Sequence, residues 1–324
     1  MNKKIAAFLS VAMFLASLQM AHAQQTKKLA RIGFLYPGPA APLKVRSEAF
    51  LERLRELGYV EGQNVAIEYR RAEGKTEHLP ALAAELVQRK ADAIVTVGDP
   101  AIHAVQQATK TIPIVGVTDD LVGAGLVASL ARPGGNTTGV SILSSELNVK
   151  RLELLKEAIP RASRVAALWD PGTGTFHLKA LEGAGRALGV QLQFLEVRRP
   201  EDLPRAFEAA KNGRAEALNV LASPLLQAYN ETIIDLAAKK RLPAIYQFRE
   251  SAEAGGLMSY GPHLLEVFRQ AATYVDKILK GRKPADLPVE QPMKFGLVIN
   301  LKAAKQIGLT IPPNVLVRAD KVIK

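Results

Sequence analysis

The chain has 324 residues, 48% of them hydrophobic, which is enough for ordinary burial to build cores and excludes a charge-dominated disordered polymer. It contains no cysteine, which excludes thiol nucleophiles, thiolate zinc centres, iron–sulfur clusters and a disulfide framework. The formal net charge of +12 is dispersed through segments such as "YRRAEGK" and "EVRRPED", whose acidic neighbours mark solvated faces and not a nucleic-acid footprint.

At the start, Lys3 and Lys4 precede the apolar run "IAAFLSVAMFLASL", and Ala21-His22-Ala23 offers a small-x-small cleavage site. That run is shorter than the roughly 20 residues of a spanning helix. Residues 1–23 are therefore expected to be a signal peptide cleaved after Ala23, and the protein to be exported to the periplasm. What remains has room for two domains at about 150 residues each.

Strand-length apolar runs then alternate with segments of helical period. "RIGFLY" (31–36) precedes a helix whose Leu43, Phe50, Leu54 and Leu57 share a face, stopped by Gly58. "VAIEYR" (65–70) precedes a helix at 79–88, "AIVTVG" (93–98) one at 100–109, and "PIVGVT" (113–118) one at 121–131. These β-then-α units predict a parallel sheet covered by helices. "RPGGNTTGVS" (132–141) breaks the rhythm with a turn and a short strand.

A second series follows, with strands expected at 164–169, 190–197, 216–222, 243–247 and 256–261 and helices between them. The segment 264–281 is a long helix with Leu264, Phe268, Ala271, Val275 and Ile278 at helical spacing, closed by Gly281. The tail over 287–320 reads as a short strand, then another strand, then two short helices. The fold class is thus α/β: two Rossmann-like halves, with a late helix and return strands that suit a chain crossing between them more than once.

Motifs for catalysis are lacking. The histidines at 22, 78, 103, 177 and 263 are isolated, and no HExxH, Walker loop or GxSxG elbow occurs. Gly123-Ala-Gly125-Leu-Val-Ala128 matches GxGxxA, but Asp119 and Asp120 at its entrance would repel a pyrophosphate. Gly183 and Gly185 lie inside a helix that precedes a strand, the wrong polarity for a dinucleotide turn. Close helix packing accounts better for both pairs.

In open parallel α/β sheets, ligands sit beyond the C-terminal strand ends. Those ends carry Tyr36, Gly98-Asp99 and Thr118-Asp119-Asp120 in the first half, and Ser144-Ser145, Trp169-Asp170, Ser223, Phe248-Arg249 and Tyr260 in the second. Polar groups among aromatic walls describe a small-molecule site. Each residue has a plainer alternative: Asp99, Asp170, Asp119 or Asp120 as a helix cap, Trp169 and Tyr260 as core, Arg249 as surface. As ligand contacts, Thr118 and Asp119 would take an ammonium and Arg249 a carboxylate, with Asp120 capping the helix.

Three stretches resemble the substrate-binding protein family of ABC transporters that includes tryptophan/tyrosine-type components: "RPGGNTTG", "GGLMSYG" and "KPADLPVEQP". The likeness runs from Arg31 to the end of the chain. It implies a type I periplasmic binding protein: two lobes with parallel sheets, joined by a three-crossover hinge and closing on a ligand. Lobe one is then expected at 29–140 plus 261–287, and lobe two at 141–260 plus 288–324. Thr118-Asp119 matches the family's strand-end step, and Tyr260-Gly261 its crossover. "DPGTG" (170–174) stands where an Asn-Ser pair is usual, and Ser251 where an apolar residue is. The implied partners are a small-molecule ligand, an amino acid or an aromatic or carboxylate-bearing compound, and a membrane ABC permease. No nucleic acid, metal or cofactor is implied, and the protein is expected to be a monomeric binder, not an enzyme. The alternatives are a ligand-sensing module for a membrane receptor and a periplasmic hydrolase using Asp119 or Asp170 as base.

Overall fold

Short apolar runs make the first sheet, and helices with one apolar stripe cover it. The strands Ala93–Val97, Ile114–Thr118 and Thr137–Ser141 are buried along nearly their whole length, while Val65–Arg71 at the sheet edge is mostly half-buried. The computed structural model describes residues 29–38, 40–142 and 144–324, without the side chains of 40–42, 144, 145, 176 and 177. The expected signal peptide, and the side chains of Ser144 and Ser145, lie outside the described residues.

The first lobe contains β1 (Ala30–Tyr36), α1 (Ala40–Glu56), β2 (Val65–Arg71), α2 (Leu79–Gln88), β3 (Ala93–Val97), α3 (Asp99–Ala108), β4 (Ile114–Thr118) and β5 (Thr137–Ser141). Its five strands are all parallel, in the order β2-β1-β3-β4-β5. The second lobe has α4 (Ser144–Ala158), β6 (Arg164–Trp169), α5 (Phe176–Ala187), β7 (Gln191–Glu196), α6 (Leu203–Asn212), β8 (Ala217–Val220), α7 (Pro224–Ala228), α8 (Asn230–Lys239), β9 (Ala244–Tyr246), α9 (Arg249–Glu253) and β10 (Met258–Pro262). Then come α10 (Leu264–Leu279), β11 (Phe295–Asn300), α11 (Leu301–Ile307), α12 (Pro313–Leu316) and β12 (Lys321–Ile323). The second sheet runs β12-β11-β10-β9-β8-β6-β7, and β11 is antiparallel to β10.

The chain crosses between lobes three times. After β5 it enters α4. After β10 it returns as α10, which packs on α1 and against β3, β4 and β5. There Phe268 stacks 6.3 Å from Phe34, whose other edge meets Phe50 at 5.5 Å. Each fully buried phenylalanine contributes about 1.5–3 kcal/mol, so this aromatic cluster ties α10 to the first lobe. The third crossing leaves along β5: Leu287 accepts from Thr138 Oγ1 at 2.7 Å, and Glu290 exchanges backbone bonds with Gly139 and Ser141. At β10 the chain comes so close to its neighbour that a Cβ on Gly261 would lie 1.8 Å from the Gln247 carbonyl oxygen. That contact explains the glycine of "SYG".

Two expectations need correction. Residues 121–131 form no helix. Asp120 Oδ1 accepts from the N–H groups of Val122 and Gly123, which fastens the chain into a turn, and Gly125 adopts a φ of +69°. The apolar residues of this loop bury against Ile102 and Val289 as a small separate cluster. Gly125 has open space where a Cβ would be, so it serves the turn and not helix packing. Gly185 does serve packing: its Cβ would lie 3.0 Å from Leu192 on β7. The sequence reading also missed β12, a three-residue edge strand that "RAD" turn residues obscure.

Candidate ligand-binding site

The turn after β3 places the first functional side chain. Gly98 has a φ of +81°, and a Cβ there would lie 2.5 Å from Cγ of Pro224 in the other lobe. Only glycine satisfies both the backbone and that approach. The next residue, Asp99, opens α3 and is 6% exposed. One strand over, Thr118 at the end of β4 donates its hydroxyl proton to Oδ1 of Asp99. Burial is the main reason that the Asp99 carboxyl is pushed up to about 7. The Thr118 hydrogen bond opposes the rise, and the charges of Asp119, Asp120 and Asp170 add to it.

The facing rim belongs to the second lobe. Asp170 follows β6 and accepts from the Gly172 N–H at 2.8 Å, capping the turn at 171–173. Its other oxygen accepts from Ser223 Oγ at 2.8 Å. Ser223 in turn caps α7, accepting from the Leu226 N–H at 3.1 Å. Burial raises the Asp170 carboxyl above its ordinary value, while Ser223, Gly172 and Arg198 pull it down.

Between the rims lies a cavity. Tyr36, Arg46, Asp99, Thr118 and Asp119 line it from the first lobe, and Thr173, Ser223, Gln227 and Phe248 from the second. Val97, Val117, Ile142, Leu264 and Phe268 supply an apolar wall. The cavity is narrow, with an open volume of about 50 Å³, room for a few ordered waters. Phe248 crosses the gap and packs into the first lobe's core. Arg46, 6% exposed, holds its guanidinium 5.8 Å over the Phe248 ring and donates to Tyr36 Oη at 3.0 Å. Among the described residues it forms no ion pair.

The cavity thus combines an acidic end at Asp99, Thr118 and Asp119 with one buried cation at Arg46. This pairing suits a small molecule with both an ammonium and a carboxylate. Asp119 also acts across the hinge: burial pulls the guanidinium of Arg151 on α4 down to about 10, and the charge of Asp119 opposes that fall. Arg151 donates to the Tyr260 carbonyl at 3.0 Å and to Asn148 Oδ1. Among the described residues no three His, Asp or Glu side chains converge to hold a metal ion.

Of the residues expected here, Tyr36, Gly98, Asp99, Thr118, Asp119, Ser223 and Phe248 surround one cavity, with Asp170 directly behind Ser223. Three do not join them. Arg249 is exposed and pairs with Glu253 at 3.0 Å, one turn along α9. Trp169 shares a strand face with Val165 and Ala167 and so points into the core beneath the helices. Tyr260 lies on the same side of its sheet and stacks on Phe295 at 6.3 Å. Sequence reasoning missed Arg46, Gln227 and Thr173. For Arg46 a signal existed: it lies three residues after Leu43 and four before Phe50, on the apolar stripe of α1, where a cation is out of place. Gln227 sits on a five-residue helix too short to show a pattern.

The sequence family described as ABC transporter substrate binding protein matches residues 38–323. A protein of Clostridioides difficile (strain R20291) named tyrosine-binding protein is 25% identical over 289 residues, covering 88% of this chain and 82% of that one. A conserved domain protein of Vibrio cholerae is 30% identical, with a TM-score of 0.86 over 91% of this chain and 100% of its own. A Streptococcus pneumoniae ABC domain solved with L-Trp is 26% identical, with a TM-score of 0.85 over the same shares.

Proposed function

The chain belongs to the family of ABC transporter substrate binding proteins, with the type I periplasmic binding fold, and from that premise we propose that it captures an amino acid between its lobes and delivers it to a membrane permease. The observation that carries this reading is the cavity itself: buried acceptors and a buried cation, Arg46, that forms no ion pair among the described residues, all on one lobe and faced by capped polar groups of the other. The relatives named for tyrosine and solved with L-Trp support an amino acid, and an aromatic one fits the Phe248 and Phe268 walls.

In this reading the ligand ammonium meets Asp99, Thr118 and Asp119, and its carboxylate meets Arg46. The lobes divide near residues 140, 261 and 288, and the protein works as an exported monomer cleaved after Ala23. Closure follows from differential affinity. Moving the lobes from 1:99 to 99:1 closed takes about 5.5 kcal/mol, and two or three charge-assisted hydrogen bonds of about 1.5–3 kcal/mol each supply it. A binder without catalysis is the role we assign.

Scanning calorimetry against the twenty amino acids, with aromatic acids, sugars and nucleosides beside them, tests the ligand class. A rise in melting temperature confined to amino acids is the expected result, and small-angle scattering with the hit should show compaction. A rise with sugars or nucleosides alone rejects the proposal.

A further inference from the structure

Apart from the groups that read the two charges, one buried acceptor lining the cavity is left over. Gln227 on α7 is 8% exposed, and its Oε1 is buried with no hydrogen-bond partner among the described residues. A buried polar group without a partner in a native fold calls for an explanation. Structural duty does not supply one, because Ser223 already makes the cap of α7. Gln227 lines the cavity and also the outer groove between the lobes, and Arg46 is the other residue that borders both. Glu250, in that groove, likewise has a buried carboxylate oxygen without a partner among the described residues. Two acceptors without a partner among the described residues thus border the groove, and of these Gln227 also lines the cavity.

An amino acid's ammonium and carboxylate are answered by Asp99 with Thr118 and by Arg46. The leftover oxygen therefore faces a third group of the ligand. We propose that Gln227 is a specificity-determining residue whose amide oxygen accepts a hydrogen bond from an N–H or O–H on the ligand's side chain. The site then selects amino acids that carry such a donor over those of equal shape that lack one. A ligand without the donor would seal the oxygen away from water and leave it unpaired, which is how a polar site rejects an apolar isostere. This inference rests on the amino-acid reading above.

Isothermal titration with three matched pairs tests it: L-tyrosine and L-phenylalanine, L-tryptophan and 1-methyl-L-tryptophan, L-threonine and L-valine. In whichever pair binds, the natural protein should prefer the donor-bearing member by about 5–100-fold. Gln227→Leu should bring the pair to within about threefold by weakening that member alone. Replacing an orphaned polar group with an apolar one of similar size does not cost stability, so the melting temperature should hold or rise. Gln227→Met repeats the test with an unbranched side chain. Equal affinities within every binding pair, or a preference that survives both substitutions, overturns the role of Gln227 and leaves the amino-acid reading standing. No binding by any of the six ligands overturns the role of Gln227, and a rise with sugars or nucleosides alone in the calorimetric screen overturns the amino-acid reading with it.

Discussion

Two Asp-Pro dipeptides follow parallel strands, β3 in the first lobe and β6 in the second, and they use the same side chain in opposite ways. Asp170 occupies the cap position of the turn that follows it, so the Gly172 N–H points back at its carboxylate, and Ser223 secures the other oxygen. Asp99 lies one residue further along. Gly98 holds the cap position and Asp99 is already the first residue of α3, beyond reach of the helix's free N–H groups. Its carboxylate turns instead to Thr118 and the cavity. One position along the chain separates a structural aspartate from one available to a ligand.

Neutralising the available carboxylate should give the largest effect. Asp99→Asn is expected to weaken an amine-bearing ligand by about 10–150-fold, the worth of a charge-assisted hydrogen bond of roughly 1.5–3 kcal/mol. The ligand-free melting temperature should hold or rise. Asp170→Asn should do the reverse, lowering stability by about 0.5–2 kcal/mol while affinity stays within about fivefold. Calorimetric titration beside melting curves checks both, and an exchange of the two outcomes would break the comparison.

The same contrast sets a pH dependence. The folded-state value of Asp99 is raised to about 7 from 3.8. A group raised in this way contributes stability that is fully present below its unfolded value and lost as pH rises through the folded one. The Asp99 contribution to the ligand-free protein should therefore be lost between about pH 4 and pH 7, and Asp99→Asn should remove that loss from the profile. Melting temperatures of the two proteins that run parallel across this interval would place Asp99 in contact with water.

The two arginines sharpen the comparison from the cationic side. Arg46→Met is expected to weaken a carboxylate ligand by about 10–100-fold and its amide far less. Arg249→Met removes an exposed ion pair with Glu253 and should change stability by no more than about 1 kcal/mol and affinity not at all. Equal losses of affinity from the two substitutions would return Arg249 to the site.

Much of this was legible before any coordinates. Strand-length β-branched runs followed by periodic helices specify parallel α/β lobes, and the rule that ligands sit at strand ends picked out Asp99, Thr118 and Ser223. The loop at 121–131 reads as a helix because its apolar spacing mimics one, while the competing signal, an aspartate oxygen that accepts from the N–H groups two and three residues on, needs no periodicity. Trp169 was misplaced because a strand end has two faces, and only the pairing partners say which face meets the rim. Gln227 carries no local pattern. Its role depends on what it fails to touch, which a one-dimensional reading does not record.

A last prediction bears on how the structural aspartate is held. Ser223 Oγ accepts from Leu226 and donates to Asp170, so Ser223→Ala removes a cap and a hydrogen bond to a carboxylate together. The loss of the cap should cost about 0.5–2 kcal/mol at any pH. The second part depends on charge. Burial pushes the Asp170 carboxyl up and the Ser223 bond pulls it down, so without the hydroxyl the folded-state value rises further. A raised value destabilises the fold only where the group is ionised. The penalty of Ser223→Ala should therefore be larger at about pH 8 than at about pH 4, and Ser223→Thr should restore both parts. Melting curves of the three proteins at the two pH values measure it. A penalty of the same size at both would mean that Ser223 serves α7 alone, and that Asp170 is held by its own turn.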